Sequence, residues 1–243
     1  MKIRLSILFI IFFSFYSCDF HNAKYYLDKG LDNLDKKEYG LAIKNYTLAI
    51  EKDPENYFAY HNRNVAYQYL GEFDLAIKDL TSLIKINPED TIAYHERAML
   101  YYQKQEYKLA VIDFNSAIKI NPQKLESYSY RAICNTFLRN FDAAIGDADI
   151  LVSKYKSSNE YNNRGACYVS FGKNKLAIED LNIAIKLDPK FANTYANRGI
   201  AYKNLGDRKS AIADFNKAAT LGDSCGVKNL KEYYNIDFLP KKK

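Results

Sequence analysis

Apolar residues in this chain fall at helical spacing inside a block that recurs. Within a block they take positions 4, 8 and 11, then 20, 21, 24, 27 and 28, which is one face of a first helix followed by one face of a second. Pro54, Pro88, Pro122 and Pro189 set the block length, standing 34, 34 and 67 residues apart. One residue is therefore dropped between the third and fourth prolines. Placing each proline, or its equivalent, at position 32 gives six starts at Ala23, Tyr57, Thr91, Leu125, Ser158 and Ala192. Position 4 is then always Tyr, from Tyr26 to Tyr195, and position 20 always Ala, from Ala42 to Ala211. A unit of this size is too small to bury its own apolar face and must stack on copies of itself.

The pattern predicts two helices, A and B, per unit. Gly71, Gly172 and Gly206 at position 15 suit the break between them, where the backbone turns left-handed. An Asn or Asp followed by proline ends helix B. The constant alanine at position 20 implies that the two helix backbones approach closely there. Position 7 is Arg63, Arg97, Arg131, Arg164 and Arg198, and position 23 is Asp79, Asp113, Asp147, Asp180 and Asp214. The first repeat has neither, carrying Lys29 and Asn45. Because the two residue types come and go together, a structural Arg–Asp pair tying helix A to helix B is expected.

The fourth repeat breaks the rules. It is the short one, lacks the proline, has Asn135 for Tyr at position 11, carries Gly146 on helix B, and has Ala148 where the others have Phe, Leu or Tyr. Less apolar area to bury predicts local loosening or altered packing. After the sixth repeat, Asp223 or Ser224 can cap a last helix through about Tyr234, with Val227, Leu230 and Tyr234 on one face. Such a helix should cover the open end of the stack. The tail from Ile236 to Lys243 is expected to be loose.

The lines Tyr-x-Asn-Arg-Gly-x-x-Tyr and Ala-Ile-x-Asp-Phe-x-x-Ala, complete in residues 195–218, resemble the tetratricopeptide repeat. The resemblance covers residues 23 to about 224. It implies an all-α, right-handed superhelical solenoid of six helix-turn-helix repeats, with helices A lining a concave face and a C-terminal capping helix. It also implies that ligands touch helix A positions 2, 5, 6, 9, 12 and 13. Position 6 holds Asn62, Asn163 and Asn197, matching the family's asparagine ladder, whereas Asp28, Glu96 and Tyr130 depart from it. An amide offers both a donor and an acceptor, which suits the backbone of an extended peptide; mere solvation is the alternative. Phe58, Tyr69, Ile92, Met99, Tyr102, Ile133 and Phe137 concentrate apolar and aromatic surface on repeats two to four, with the groove histidines His61 and His95 among them. Repeats five and six contribute asparagines instead. The basic clamp that some relatives close on a C-terminal carboxylate is missing, its columns holding Leu27, Leu31, His95 and Met99, so no preference for acidic C-terminal tails is expected.

The chain has 243 residues, 48% hydrophobic and 26% charged, with a net charge of +6, an ordinary balance for a folded soluble protein. It opens with the basic Met1-Lys2-Ile3-Arg4 and an uncharged, mostly apolar run from Leu5 to Ser17 that stops at Cys18-Asp19. That is the form of a secretory signal. The run is too short for a spanning helix, which needs about 20 residues. Phe15-Tyr16-Ser17-Cys18 resembles a bacterial lipoprotein box, which implies a signal peptide over 1–17, lipid on Cys18, a short tether over 18–22 and a membrane-anchored envelope location. An uncleaved anchor, or an ordinary signal with an incidental cysteine, is the alternative. Cleavage there would remove Lys2 and Arg4 and bring the charge to +4. The remaining lysines are dispersed apart from Lys241-Lys242-Lys243, which reads as a solvated surface and argues against nucleic-acid binding.

Catalytic and metal motifs do not survive their context. Gly222-Asp223-Ser224-Cys225-Gly226 matches the serine-hydrolase elbow, but that elbow follows a strand and needs a later His, and the only histidines are His21, His61 and His95. His61 and His95 share position 5 of adjacent repeats, about 8–10 Å apart as packed helices, too far for one zinc. They are expected to be exposed in the groove. Cys134 and Cys167 share position 10 and should be separate, reduced core thiols. No cofactor is indicated. The sequence therefore predicts a non-catalytic scaffold or adaptor that holds a peptide or protein partner in its groove, with a self-associating structural protein or, less favoured, a Ser224 hydrolase as alternatives.

Overall fold

The structure, a computed structural model, describes residues 22–238, and among these every regular element is a helix. The expected lipidation site Cys18 and the terminal lysines lie outside the described residues. The chain divides into two compact units, Met1–Pro88 and Glu89–Lys243.

The first unit contains α1 (Ala23–Asp35), α2 (Tyr39–Lys52), α3 (Tyr57–Tyr69) and α4 (Phe73–Ile86). Asn22 and Asn56 cap α1 and α3, each side chain accepting from a backbone N–H three residues on. Each helix packs on the next, and α1 also meets α3. Ala42, Tyr46, Ala49, Ala59, Ala66, Ala76, Leu80 and Leu83 are fully buried between them. Burying a leucine-sized side chain contributes about 1.5–3 kcal/mol.

The second unit runs through α5 (Thr91–Gln103), α6 (Tyr107–Ile120), α7 (Leu125–Phe137), α8 (Phe141–Tyr155), α9 (Ser158–Ser170), α10 (Asn174–Leu187), α11 (Ala192–Asn204), α12 (Arg208–Thr220) and α13 (Ser224–Tyr234). Consecutive helices pack in antiparallel pairs, and helices A also meet their neighbours at α5–α7, α9–α11 and α11–α13. The approach of helices A is slight at α5–α7, no stronger at α7–α9 and closer at α9–α11, and the fourth repeat stands at that change. Its boundary differs too. Without a proline, α8 runs to Tyr155 and stops through Lys156 in the left-handed conformation, leaving only Lys156 and Ser157 before α9.

The column logic is visible in both units. All six position-20 alanines are 0% exposed, confirming the close A–B approach. Gly71, Gly172 and Gly206 have φ of 76°, 73° and 81°. The equivalent Lys37, Gln105 and Arg139 adopt the same hand without being glycine, at φ 60°, 61° and 59°.

The Arg–Asp pairs are present and two-pronged. Arg63 donates from Nε to Asp79 Oδ2 at 2.8 Å and from Nη2 to Oδ1 at 2.7 Å. Arg97–Asp113, Arg131–Asp147, Arg164–Asp180 and Arg198–Asp214 repeat the geometry. From Arg63, Arg131, Arg164 and Arg198, Nη1 also reaches position 25 of the preceding repeat, at Thr47, Asn115, Asp149 and Asn182. One residue type thus holds a repeat together and fastens it to its neighbour. Each guanidinium lies over the position-4 tyrosine, at 5.4–5.8 Å from the ring centroid, which gives that Tyr a reason in repeats two to six. In the first repeat Asn45 donates to Asn33 instead, at 2.8 Å.

At the C-terminus Asp223 is the cap of α13, accepting from Cys225 N at 2.7 Å. The tail after α13 is not loose up to Phe238, a correction to the sequence expectation. Asn235 turns left-handed, Ile236 N donates to Leu230 O at 3.1 Å, and Ile236 and Phe238 pack on the cluster of Ala211, Phe215 and Leu230. Their apolar side chains are what hold the segment down.

Candidate functional site

Helices A present the columns from which the groove was predicted, and the two units contribute separately. In the first unit Phe58 and Tyr69 on α3 are each 65% exposed. Tyr69 stacks on Tyr39 with ring centroids 4.8 Å apart. His61 lies parallel to Tyr57 at 6.2 Å and is only partly exposed, its Nδ1 buried without a partner. The Asn62 amide donates to Phe58 O at 2.8 Å, within its own helix.

In the second unit the predicted aromatic patch sorts into core and surface. His95, Tyr102 and Tyr130 turn into the stack: Tyr102 and Tyr130 pack against Ala98, Ala110, Phe114 and Cys134, and their rings meet at 5.6 Å. His95 is not the exposed groove group expected of it. Its Nδ1 is 2.9 Å from Ser127 Oγ, and its ring meets Phe114 at 5.6 Å and Tyr130 at 6.2 Å. Burial, with Lys124 nearby, holds its pKa down to about 4. Phe137 stays 59% exposed while stacking on Tyr107 at 4.5 Å; Ile133, one turn before it on α7, and Ile92 on α5 are also exposed. On α9, Asn163 is exposed and accepts from Asn162 at 3.4 Å. On α11, Asn197 donates to Asn193 at 2.8 Å and Asn162 at 3.0 Å. The asparagines therefore brace one another as well as facing outward.

A feature that sequence reasoning missed lies in these same columns. Between α7, α8 and α9 is a cavity of about 280 Å³. Ala132, Ala148, Leu151 and Ala166 wall it, and Ile133, Phe137, Asn163 and Ser170 stand at its rim. The signal that could have found it is the pairing of positions 8 and 24. Where position 24 is large, position 8 is often glycine: a Cβ on Gly165 or Gly199 would fall 2.7 Å from Leu181 or 2.6 Å from Phe215. The fourth repeat pairs Ala132 with Ala148, small against small.

Among the described residues Cys134, Cys167 and Cys225 are free. Cys134 is fully buried, and burial pushes its thiol up to about 11. Cys167 is only partly buried and lines the cavity, 3.7 Å from Thr136 Oγ, so it is not the core thiol expected. Among the described residues no group of three His, Cys, Asp or Glu side chains could hold a metal ion, and no helix is long and apolar enough to cross a membrane. Ser224 is exposed at the first position of α13.

Tetratricopeptide-repeat models match residues 65–124, 161–206 and 192–221. No curated protein sequence matches the chain. Among solved structures, YrrB, a TPR protein with an unusual peptide-binding site, is 19% identical with a TM-score of 0.63, over 76% of this chain and 97% of that one. A tetratricopeptide repeat protein from Parabacteroides merdae is 26% identical with a TM-score of 0.56, over 90% and 85%. The C-terminal part of a TPR repeat-containing protein from Cytophaga hutchinsonii is 18% identical with a TM-score of 0.68, over 85% and 83%. Register, Arg–Asp rungs and these matches agree: the chain carries tetratricopeptide repeats.

Proposed function

We propose that the chain is a non-catalytic adaptor that holds an extended peptide, or an extended segment of a partner protein, against its helices A, and that lipid on Cys18 anchors it in a bacterial envelope. The observation that carries the binding reading is the exposure of Phe58, Tyr69 and Phe137 in groove columns, with the Asn163 amide outward on α9. Large apolar side chains left open on an otherwise satisfied scaffold mark contact surface. The five position-7 arginines are engaged with carboxylates and do not form an anion site. Ser224 is the first residue of α13, directly behind its cap Asp223, and the His95 ring nitrogen is engaged with Ser127.

The anchor reading rests on Met1 to Cys18 as sequence. A photo-crosslinking residue placed at Asn62 and at Asn163 should couple one discrete partner, and one placed at the outward Lys175 on α10 should not. Equal coupling from both faces would remove the groove reading. Cys18→Ala should abolish lipid labelling and release the protein from the membrane fraction; retention with unchanged labelling would remove the anchor.

A further inference from the structure

We propose that the cavity of the fourth and fifth repeats is a socket for one Phe- or Leu-sized apolar side chain of an extended peptide. This deepens, and rests on, the groove reading above. The socket exists because one column is empty. Position 24 is Tyr46, Leu80, Phe114, Leu181 or Phe215 elsewhere, each 0% exposed, and Ala148 alone is small. Ala132 opposite adds nothing to fill the gap, which stays open between α7, α8 and α9. An apolar cavity of about 150 Å³ admits benzene, so the 280 Å³ here accommodates a phenyl ring or a leucine with its stem.

The lining decides what kind of molecule brings that group. Thr136 spends its hydroxyl on Ala132 O at 2.8 Å. No lysine or arginine lines the cavity, and the ionisable carboxylate there is Glu160, which accepts from Ser157 and Asn159. A fatty acid would set its own carboxylate near that acid with no cation to answer it. A peptide side chain carries no such charge. Its backbone would pass the rim at Asn163, whose Nδ2 has no acceptor among the described residues. Because side chains alternate along an extended strand, one can point into the socket while its neighbours cross the exposed Ile133 and Phe137.

A library of random displayed peptides selected on the full chain tests this, with affinities then measured on the natural chain and on Ala148→Phe. That variant puts into the fourth repeat what Phe114 and Phe215 put into the third and sixth. Selected peptides should share one Phe, Leu or Met whose replacement by Ala weakens binding at least tenfold. Ala148→Phe should weaken binding at least tenfold while its melting temperature holds or rises. Should the phenylalanine variant not fold, Ala148→Leu, the residue that Leu80 and Leu181 already place in this column, decides in its place. Peptides that bind the filled variants as well as the natural chain overturn the socket and leave the groove reading standing. A selection that yields no peptide overturns the groove reading and the socket with it. Saturable palmitate binding, or dimer formation, that Ala148→Phe abolishes would assign the cavity to a lipid or a second copy and overturn the peptide as occupant.

Discussion

Asp147 keeps 3% of its side chain exposed, and Arg131 grips both its oxygens at 2.9 and 2.6 Å. Burial pushes that carboxyl above its ordinary value, and Arg131 pulls it part of the way back. Arg131→Ala therefore strands a buried carboxylate, and the cost should be about 3–5 kcal/mol in urea unfolding at neutral pH. The folded pKa lies above the unfolded one, so the native state holds the proton more tightly, and stability is lost as pH rises through the folded value. The variant's deficit should accordingly shrink on acidification toward pH 4; a deficit independent of pH would show that the pair matters only for packing. His95 works with the opposite sign. Its folded pKa of about 4 lies below the ordinary 6.5, with Lys124 adding to burial and Glu126 opposing it. Folding thus favours the neutral ring, and its contribution is complete above about pH 6.5 and lost as pH falls toward 4. Solvent reaching the ring discounts this to about 1–2 kcal/mol. His95→Gln should flatten that part of the stability-against-pH curve, and an unchanged slope would place the titration elsewhere.

The A–B turn is the element where sequence and backbone disagree most usefully. Six turns share one left-handed residue, but only three supply glycine. The left-handed conformation costs a non-glycine residue about 1–2 kcal/mol, and glycine returns part of that through the freer unfolded chain. Gln105→Gly should therefore stabilise by about 0.5–1 kcal/mol. Arg139→Gly should gain less, because Arg139 lies 5.3 Å over the Phe141 ring and loses that contact. Thermal melts of the two variants check both the sign and the order. Elements of this kind were legible because the repeat compares the chain with itself: a column of Ala, Arg, Asp or Tyr states its role in repeat after repeat. The groove was less legible. Positions 5, 6, 12 and 13 of a helix A all count as groove columns, so groove membership alone did not separate the partly buried Tyr102, Tyr130 and His95 from the exposed Phe137. The cavity was harder still, since it follows from two small residues meeting across helices. Ala148 was visible in the sequence as an exception; the hole it leaves depends on Ala132 and on α9.

A stacked repeat protein is only as cooperative as its nearest-neighbour interfaces, because no long-range contact bridges a weak one. In the second unit that argument singles out one place. The space between α7, α8 and α9 is open at about 280 Å³. Void volume removes packing contacts without returning them elsewhere, so α7 and α8 should open locally at lower free energy than their neighbours. Native-state hydrogen exchange should show the amides of α7 and α8 less protected than those of α5–α6 and α11–α12, and equal protection would defeat the claim. Filling the void is the control that ties the effect to its cause. Cavity filling commonly yields about 0.5–2 kcal/mol, and about 1.4 kcal/mol is tenfold in an opening equilibrium. Ala148→Leu should then raise protection across α7–α9 several-fold while leaving α11–α12 unchanged. If Ala148→Leu raises protection evenly along the unit, the fourth repeat is not a local weak point, and the loosening belongs to the stack as a whole.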